Sequence, residues 1–197
     1  MKQKFDVIES RCIPLPIDNI DTDQIIPARF LKATTRDERF FGDNLFCDWR
    51  YDSDGTPKPD FVLNDPRYGG CVLVAGRNFG SGSSREHAAW ALAGYGIRAV
   101  IAGSFADIHR QNELNNFVLP VEVSAGFLQE LHACIASDPA TRVRIDLAAQ
   151  TVTNLSSGRS ESFPISGYKK YCFLNALDDI DYLLEQKNKI EAFEQAR

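Results

Sequence analysis

Between Cys71 and Val121 the chain alternates short apolar runs with helix-length segments, and this alternation limits the possible folds more than any other feature. Cys71-Val72-Leu73-Val74-Ala75 is an unbroken apolar run of strand length, the pattern of a strand covered on both faces. Residues 76–82 form a glycine-bearing loop. Residues 84–94 are alanine-rich and predict a helix ended by Gly94 or Gly96. Residues 98–102 predict the next strand. A second helix begins at Gly103-Ser104 and runs to about Asn115, with Phe105, Ile108 and Leu114 as apolar contacts, and residues 117–121 predict a third strand. Strand–helix–strand units at this spacing imply a parallel sheet with crossover helices.

The flanking segments extend that plan. Residues 4–13 predict a strand ended by Pro14 and Pro16. Residues 18–23 are a polar turn cluster, since Asp and Asn bond their own nearby backbone, and Gln24-Ile25-Ile26-Pro27 is a short extended piece. Residues 32–69 are turn-rich, yet Phe40, Phe41, Phe46, Trp49 and Tyr51 require part of that segment to dock on something. A third helix over 124–136 places Phe127, Leu128, Leu131 and Ile135 on one face. Short strands follow at 141–147, 151–155 and 161–165, with a turn at Ser156-Ser157-Gly158. Residues 178 to about 195 carry Ile180, Leu183, Leu184, Ile190 and Phe193 at helical spacing, an amphipathic helix that packs on the domain or on a partner. The expectation is a single α/β domain over residues 1–197, with a mixed sheet, crossover helices and a C-terminal helix; 197 residues suffice for such a core.

Charge and cysteine content narrow the function. Net charge is −5, from 22 basic and 27 acidic residues, with no basic block; nucleic-acid binding is disfavoured because phosphate neutralisation needs a basic patch. No apolar stretch is long enough to span a bilayer, and the start of the chain lacks a signal-peptide pattern, so a cytoplasmic protein is expected. Cys12, Cys47, Cys71, Cys134 and Cys172 are scattered, with no Cys-x-x-Cys pair. They read as reduced thiols, and their spacing supports neither a zinc nor an iron–sulfur site in this chain.

The densest chemical signal is Gly76-Arg77-Asn78-Phe79-Gly80-Ser81-Gly82-Ser83-Ser84-Arg85-Glu86-His87, between a predicted strand and a predicted helix. Unpaired N–H groups at a helix start attract anions. Gly80 and Gly82 let the main chain approach a ligand, and Arg85 adds a planar cation suited to carboxylate or phosphate. A P-loop would end in Gly-Lys-Ser/Thr, and a dinucleotide fingerprint would have a third glycine where Arg85 stands, so a small carboxylate fits better. Ser83-Ser84-Arg85-Glu86 also matches a helix capping box; capping and ligand contact both remain open, and if Ser84 caps, Ser83 is free to face a ligand. His87 in the first turn fits packing or hydrogen bonding better than ligation. A serine can act as a base only where its alkoxide is stabilised by nearby N–H dipoles and a cation; Ser83 beside Arg85 has such surroundings.

These residues resemble a known family. The run from Asn78 to Leu92 is similar to the signature loop of the aconitase-superfamily swivel domain. Asp18-Asn19-Ile20-Asp21-Thr22-Asp23-Gln24-Ile25-Ile26-Pro27-Ala28-Arg29-Phe30-Leu31-Lys32 resembles its N-terminal signature, and Ser104-Phe105-Ala106-Asp107-Ile108 and Asn116-Phe117-Val118-Leu119-Pro120 resemble two further segments. Phe61-Val62-Leu63-Asn64 and Pro66-Arg67-Tyr68-Gly69-Gly70 point to the small subunits of bacterial isopropylmalate dehydratases. The likeness is close over about residues 5–125 and looser beyond. It implies a swivelling β/β/α domain and a hydro-lyase of leucine biosynthesis, which interconverts 2- and 3-isopropylmalate through isopropylmaleate and works only with a larger subunit. That partner would hold a [4Fe-4S] cluster on three cysteines as Lewis acid, and this chain would bind no cofactor of its own. By the same resemblance Ser83 is the base that removes the proton α to a carboxylate, Asp23 is an active-site aspartate, and Gly82, Ser84 and Arg85 contact substrate. A substrate arginine expected shortly after the aspartate motif is Arg36, with Arg39 as alternative; Arg36-Asp37-Glu38-Arg39 also reads as a solvated charge run. Ser81 stands where many relatives have cysteine, and His109 where an aromatic is commoner. Related hydroxy-diacids (methylmalate or citraconate, homocitrate or homoaconitate) are alternative substrates within the superfamily. Outside it stand a Gly-rich phosphate- or nucleotide-binding protein and an RNA-binding relative, the latter opposed by the acidic balance.

Overall fold

The computed structural model describes residues 3–35 and 37–196. Its strands are β1 (Val7–Leu15), β2 (Val72–Ala75), β3 (Ala99–Ala102), β4 (Leu119–Glu122), β5 (Arg142–Asp146), β6 (Thr151–Asn154) and β7 (Ser160–Ser162). They form one seven-stranded sheet in the order β4-β3-β2-β1-β5-β6-β7. β1 to β4 are mutually parallel, and β5, β6 and β7 continue antiparallel on the other side of β1. The crossovers between parallel strands are α4 (His87–Tyr95) and α5 (Asp107–Asn115), as the alternation in sequence predicts.

The apolar runs are central because both faces are covered. β2 and β3 are buried at every position. Val72 and Val74 face a core shared with Phe127, Leu131 and Ile135 of α6 (Ala125–Ser137). Leu73 and Ala75 face the opposite core, with Ala88, Ala91 and Leu92 of α4. This period-two division fixes α4, and the loop before it, against the sheet.

Four local expectations change. β1 runs through Pro14 to Leu15, pairing Pro14 with Val74; its antiparallel ladder to β5 already ends at Arg11, and a proline is tolerated where a strand has lost one neighbour. Residues 24–27 do not form an extended piece. Thr22–Ile25 is a one-turn helix, α1, because Asp21 Oδ1 accepts the Asp23 and Gln24 N–H groups at 2.8 Å each while Gln24 Oε1 accepts the Asp21 N–H at 2.8 Å, a complete capping box. The turn-rich segment holds α2 (Glu38–Asp43) and α3 (Cys47–Arg50), and its aromatics do dock: Phe41 and Phe46 are fully buried. α2 crosses α4 so closely that a Cβ on Gly42 would lie 2.2 Å from the Gly94 carbonyl carbon. Gly94 therefore serves a crossing inside α4, and Gly96, at φ 99°, ends the helix. Ile108, expected to pack, is 57 % exposed on the outer face of α5.

The tail also differs. A helix α7 (Gly167–Asn175) precedes it, and the predicted single helix is two, α8 (Asp179–Glu185) and α9 (Lys187–Gln195). Buried Lys169 anchors α8, its Nζ 2.5 Å from Asp179 Oδ1 and 2.8 Å from Asn115 Oδ1. Ile180, Leu183, Leu184, Ile190 and Phe193 remain exposed, so the apolar stripe does not fold back onto the sheet. No helix among the described residues is long and apolar enough to cross a membrane.

Candidate active site

The parallel strands β1, β2 and β3 end at the same edge of the sheet, where open α/β folds place their sites. The segments that follow them are stitched together by the main chain. Asn19 N–H donates to Arg77 O (2.8 Å), Gly80 N–H to Ile20 O (2.8 Å) and Thr22 N–H to Ser81 O (2.9 Å); Phe79 N–H donates to Ser104 O (3.0 Å). Side chains add to this. Arg77 Nη2 lies 2.8 Å from Asp18 Oδ2, and Asn78 Nδ2 donates to Asn19 Oδ1 at 2.9 Å. The Arg77 backbone N–H, then its guanidinium, hold the Asp18 carboxyl below the usual range. Gly80 (φ 76°) and Gly82 (φ 91°) take left-handed conformations that side chains disfavour. At Gly80 there is no room either, since a Cβ would lie 2.0 Å from the His109 ring.

This frame brings Ser83, Asp23 and Arg85 together. The Arg85 side chain is only 14 % exposed. Its Nε donates to Ser83 Oγ at 2.8 Å, and its Nη1 donates to Asp23 Oδ1 at 2.5 Å and to Ile26 O at 2.9 Å. The Ala28 N–H also donates to Asp23 Oδ1, at 2.8 Å. Arg85, with Ala28 second, holds the Asp23 carboxyl below its ordinary range. Thr22, almost fully buried, grips Ser83 from the other side: its Oγ1 lies 3.0 Å from Ser83 Oγ, accepts the Ser83 N–H at 3.2 Å, and lies 3.2 Å from Ser83 O. Thr22 is the neighbour of Ser83 that sequence reasoning missed. Its signal is a threonine in the second position of a capping box, turned into the core.

The capping alternative for the serines does not hold. α4 starts at His87, its cap position is Glu86, and no side chain caps it. Ser83 is bonded instead to Arg85 and Thr22. Ser84 is exposed, and its carbonyl accepts Asn112 Nδ2 at 3.3 Å. His87 packs against Trp90 (4.5 Å between ring centroids) and Phe41 (5.2 Å), and burial lowers its pKa, which fits the packing role. Arg36 lies outside the described residues. Arg39 is exposed at the start of α2, where its N–H donates to the Asp37 cap.

A cleft of about 680 Å³ lies on the Asp23 side of this cluster, lined by residues that include Arg29, Asn44, Cys47, Asp48 and Lys58. Within it Arg29 pairs with Asp48 and also bonds Cys47 Sγ at 3.2 Å. Among the described residues no group of three or more His, Cys, Asp or Glu could hold a metal ion. The five cysteines are free and dispersed, and burial pushes the Cys12 thiol up to about 12. What the cluster offers is a fixed guanidinium, a clamped serine hydroxyl, and the exposed Gly82 and Ser84 on one open surface. Such a surface can bind a carboxylate and receive a proton, but it does not enclose a small molecule.

Comparisons with known proteins bear on the family of the chain. The family model described as the aconitase C-terminal domain matches residues 2–126. A 3-isopropylmalate dehydratase small subunit of Cytophaga hutchinsonii is 55 % identical over 192 residues, covering 98 % of this chain and 94 % of that one. One from Christiangramia forsetii is 53 % identical, covering 99 % and 94 %. A crystal structure of a 3-isopropylmalate dehydratase from Methanocaldococcus jannaschii matches with a TM-score of 0.66 at 27 % identity, over 95 % of this chain and 99 % of that one. The family match over residues 2–126, the near-complete coverage and identity above half place the chain: it belongs to the family of 3-isopropylmalate dehydratase small subunits, built on the aconitase C-terminal domain.

Proposed function

We propose that this chain acts as one swivelling domain in the cytoplasm and supplies the serine–arginine half of a hydro-lyase site, completed by a large subunit, for the interconversion of 2- and 3-isopropylmalate. The observation that carries the reading is the Ser83 hydroxyl held between Arg85 Nε and Thr22 Oγ1 on an exposed loop. Ser83 removes the proton α to a substrate carboxylate. The Arg85 cation and the Thr22 hydroxyl stabilise the alkoxide that a free serine in water could not sustain. Loss of hydroxide from the adjacent carbon leaves isopropylmaleate, and the reverse addition at the other carbon completes the isomerisation. Arg85, Ser84 and the Gly82 backbone orient the carboxylate. Asp23 keeps Arg85 in place while remaining ionised, and Arg36 is the further substrate cation.

The cysteines of this chain are dispersed over separate elements and do not fit an iron–sulfur cluster. The [4Fe-4S] centre of the reaction belongs on the large subunit, where it would supply Lewis-acid polarisation of the leaving hydroxyl. The test is anaerobic reconstitution with the cognate large subunit, following alkene formation from 3-isopropylmalate against citramalate, homocitrate and citrate. Fast turnover of isopropylmalate, absent with either subunit alone, is the expected result. Preferred turnover of another hydroxy-diacid would keep the mechanism and change the substrate. A Ser83→Ala complex that assembles normally and keeps full activity would remove Ser83 from the role of base.

A further inference from the structure

Beneath Gly80 the fold buries two titratable side chains that the proposed chemistry does not use. His109 and Glu113 stand one turn apart on α5, both side chains fully buried, with Nε2 3.2 Å from Oε1. This is a close approach rather than an aligned hydrogen bond, and among the described residues none of the ring nitrogens or carboxyl oxygens makes an aligned hydrogen bond. Burial pushes Glu113 above the ordinary carboxyl range, against the opposing pull of His109 and Arg110. Unpaired polar groups are costly in such surroundings, so the fold keeps the two side chains against each other.

Their position explains why the unit matters. The His109 ring lies 5.4 Å from the Phe79 ring, and Gly80 rests against its face so tightly that a Cβ would meet Cδ2 at 2.0 Å. The same face of α5 reaches further along the loop. Asn112 Nδ2 donates to Ser84 O at 3.3 Å, and Asn116, at the end of the helix, donates to Glu86 Oε1 at 3.1 Å. Residues 109, 112, 113 and 116 share one side of a helix by its period. The loop that carries Ser83 and Arg85 is therefore seated on α5, and its first seat is an imidazole with Glu113 as its polar contact.

We propose that His109 and Glu113 are positioning residues: a buried imidazole–carboxyl pair that fixes the ring on which Gly80 sits, and through it the placement of Ser83 and Arg85. The kinetic part of this inference rests on the functional reading above; the structural part does not. The test measures hydrogen exchange of the loop amides in the full chain, alone and in complex with the large subunit, together with kcat and KM of the complex. Glu113→Gln keeps a polar side chain of the same shape and offers an N–H to His109 Nε2, so loop exchange and kcat should stay within about twofold of wild type. Glu113→Leu fills the space but frees the ring. Loop amides should then exchange at least ~10-fold faster, and kcat should fall about 10- to 100-fold with KM little changed, the mark of misplaced rather than lost groups. The double variant His109→Phe/Glu113→Leu restores a ring that needs no polar partner and should return exchange to within about twofold of wild type, a coupling that two independent packing residues would not give. Wild-type exchange and kcat in Glu113→Leu would overturn the proposal. If that variant does not fold, the double variant decides: restored exchange supports the pair, and ~10-fold faster exchange overturns it. A wild-type complex inactive on isopropylmalate would overturn the functional reading and leave the exchange measurements to decide the pedestal.

Discussion

Replacing Thr22 by valine tests the site at its least obvious point. The side chain is 1 % exposed, and valine keeps its shape while removing the hydroxyl. That hydroxyl has one proton and two lone pairs; it accepts the Ser83 N–H, and because Ser83 O can only accept, its one proton goes either there or to Ser83 Oγ. Ser83 itself is exposed, and its N–H and carbonyl can turn to water. The stability loss is therefore that of about one neutral hydrogen bond, roughly 1 kcal/mol, or a fall in Tm of about 2–4 °C for a chain of this size. The loss in the transition state is larger. When Ser83 Oγ carries negative charge, the Thr22 hydroxyl becomes a charge-assisted donor worth about 1.5–3 kcal/mol, and kcat should fall about 10- to 100-fold. KM should move less, because the proposed carboxylate ligands Arg85 and Ser84 are untouched. The assay is alkene formation by the reconstituted complex, with thermal unfolding of the chain alongside. A Thr22→Val complex with wild-type kcat would refute the claim that this hydroxyl stabilises the Ser83 alkoxide, and a change in KM alone would refute it equally.

Three further perturbations follow from the same geometry. In Arg85→Lys one ammonium replaces a fork that reaches Ser83 Oγ, Asp23 Oδ1 and Ile26 O together; kcat/KM should fall roughly 100-fold or more, and a loss below tenfold in steady-state kinetics would contradict a bridging role. Gly80→Ala forces a side chain onto φ 76° and into the His109 ring, so the chain should lose at least about 2 kcal/mol, seen as a clear fall in Tm; an unchanged Tm would contradict the close seating. The folded pKa of Asp23 is depressed, first by Arg85, so its contribution is fully present above the ordinary carboxyl range and is lost as pH falls through the lowered value. Loop exchange in wild type minus Asp23→Asn should be flat from about pH 5 to 8 and shrink only in stronger acid; a difference that disappears near neutrality would contradict the assigned ion pair.

Much of the parallel half-sheet was legible because its strands are buried on both faces and write themselves as unbroken apolar runs. The Ser83–Arg85 loop was legible too, as glycine and serine between a strand and a helix. Its internal bonding was not. Ser83 reads alone as a cap candidate, but its partner Thr22 is 61 residues away, and Asp23 and Ile26 are 62 and 59 residues from Arg85; no local pattern encodes those contacts. α1 was hidden because Asp-Asn-Ile-Asp-Thr-Asp resembles a turn, although Asp21 and Gln24 spell a capping box at the proper interval. Gly94 carried the signal of a helix end but serves the α2–α4 crossing, a tertiary cause. His109 drew notice only as a departure from the family pattern. Glu113, four residues on, supplies the reason a polar ring can be buried there, and that spacing was open to view.

A division of the proposed site between two chains would follow from what this half does and does not enclose. The bonds that tie Ser83 to Thr22 and Arg85 to Asp23 span 61 and 62 residues, the Arg85–Ser83 bond is local, and all are complete within this chain, so their geometry is set before any substrate arrives, which is where most of the benefit of orientation lies. Yet Gly82, Ser83, Ser84 and Asp23 all face solvent. In water a serine alkoxide is poorly sustained, because each fixed dipole competes with bulk solvent; the same dipoles become effective once the site is closed and dry. The isolated chain should therefore hold a correctly built cluster and show no measurable dehydration of isopropylmalate. Adding the large subunit should raise the rate without altering the exchange pattern of the loop beyond simple protection. If the chain alone turned over substrate, closure by a partner would not be what activates Ser83. If the loop amides were unprotected until the partner bound, the cluster would be assembled by the complex rather than by this fold.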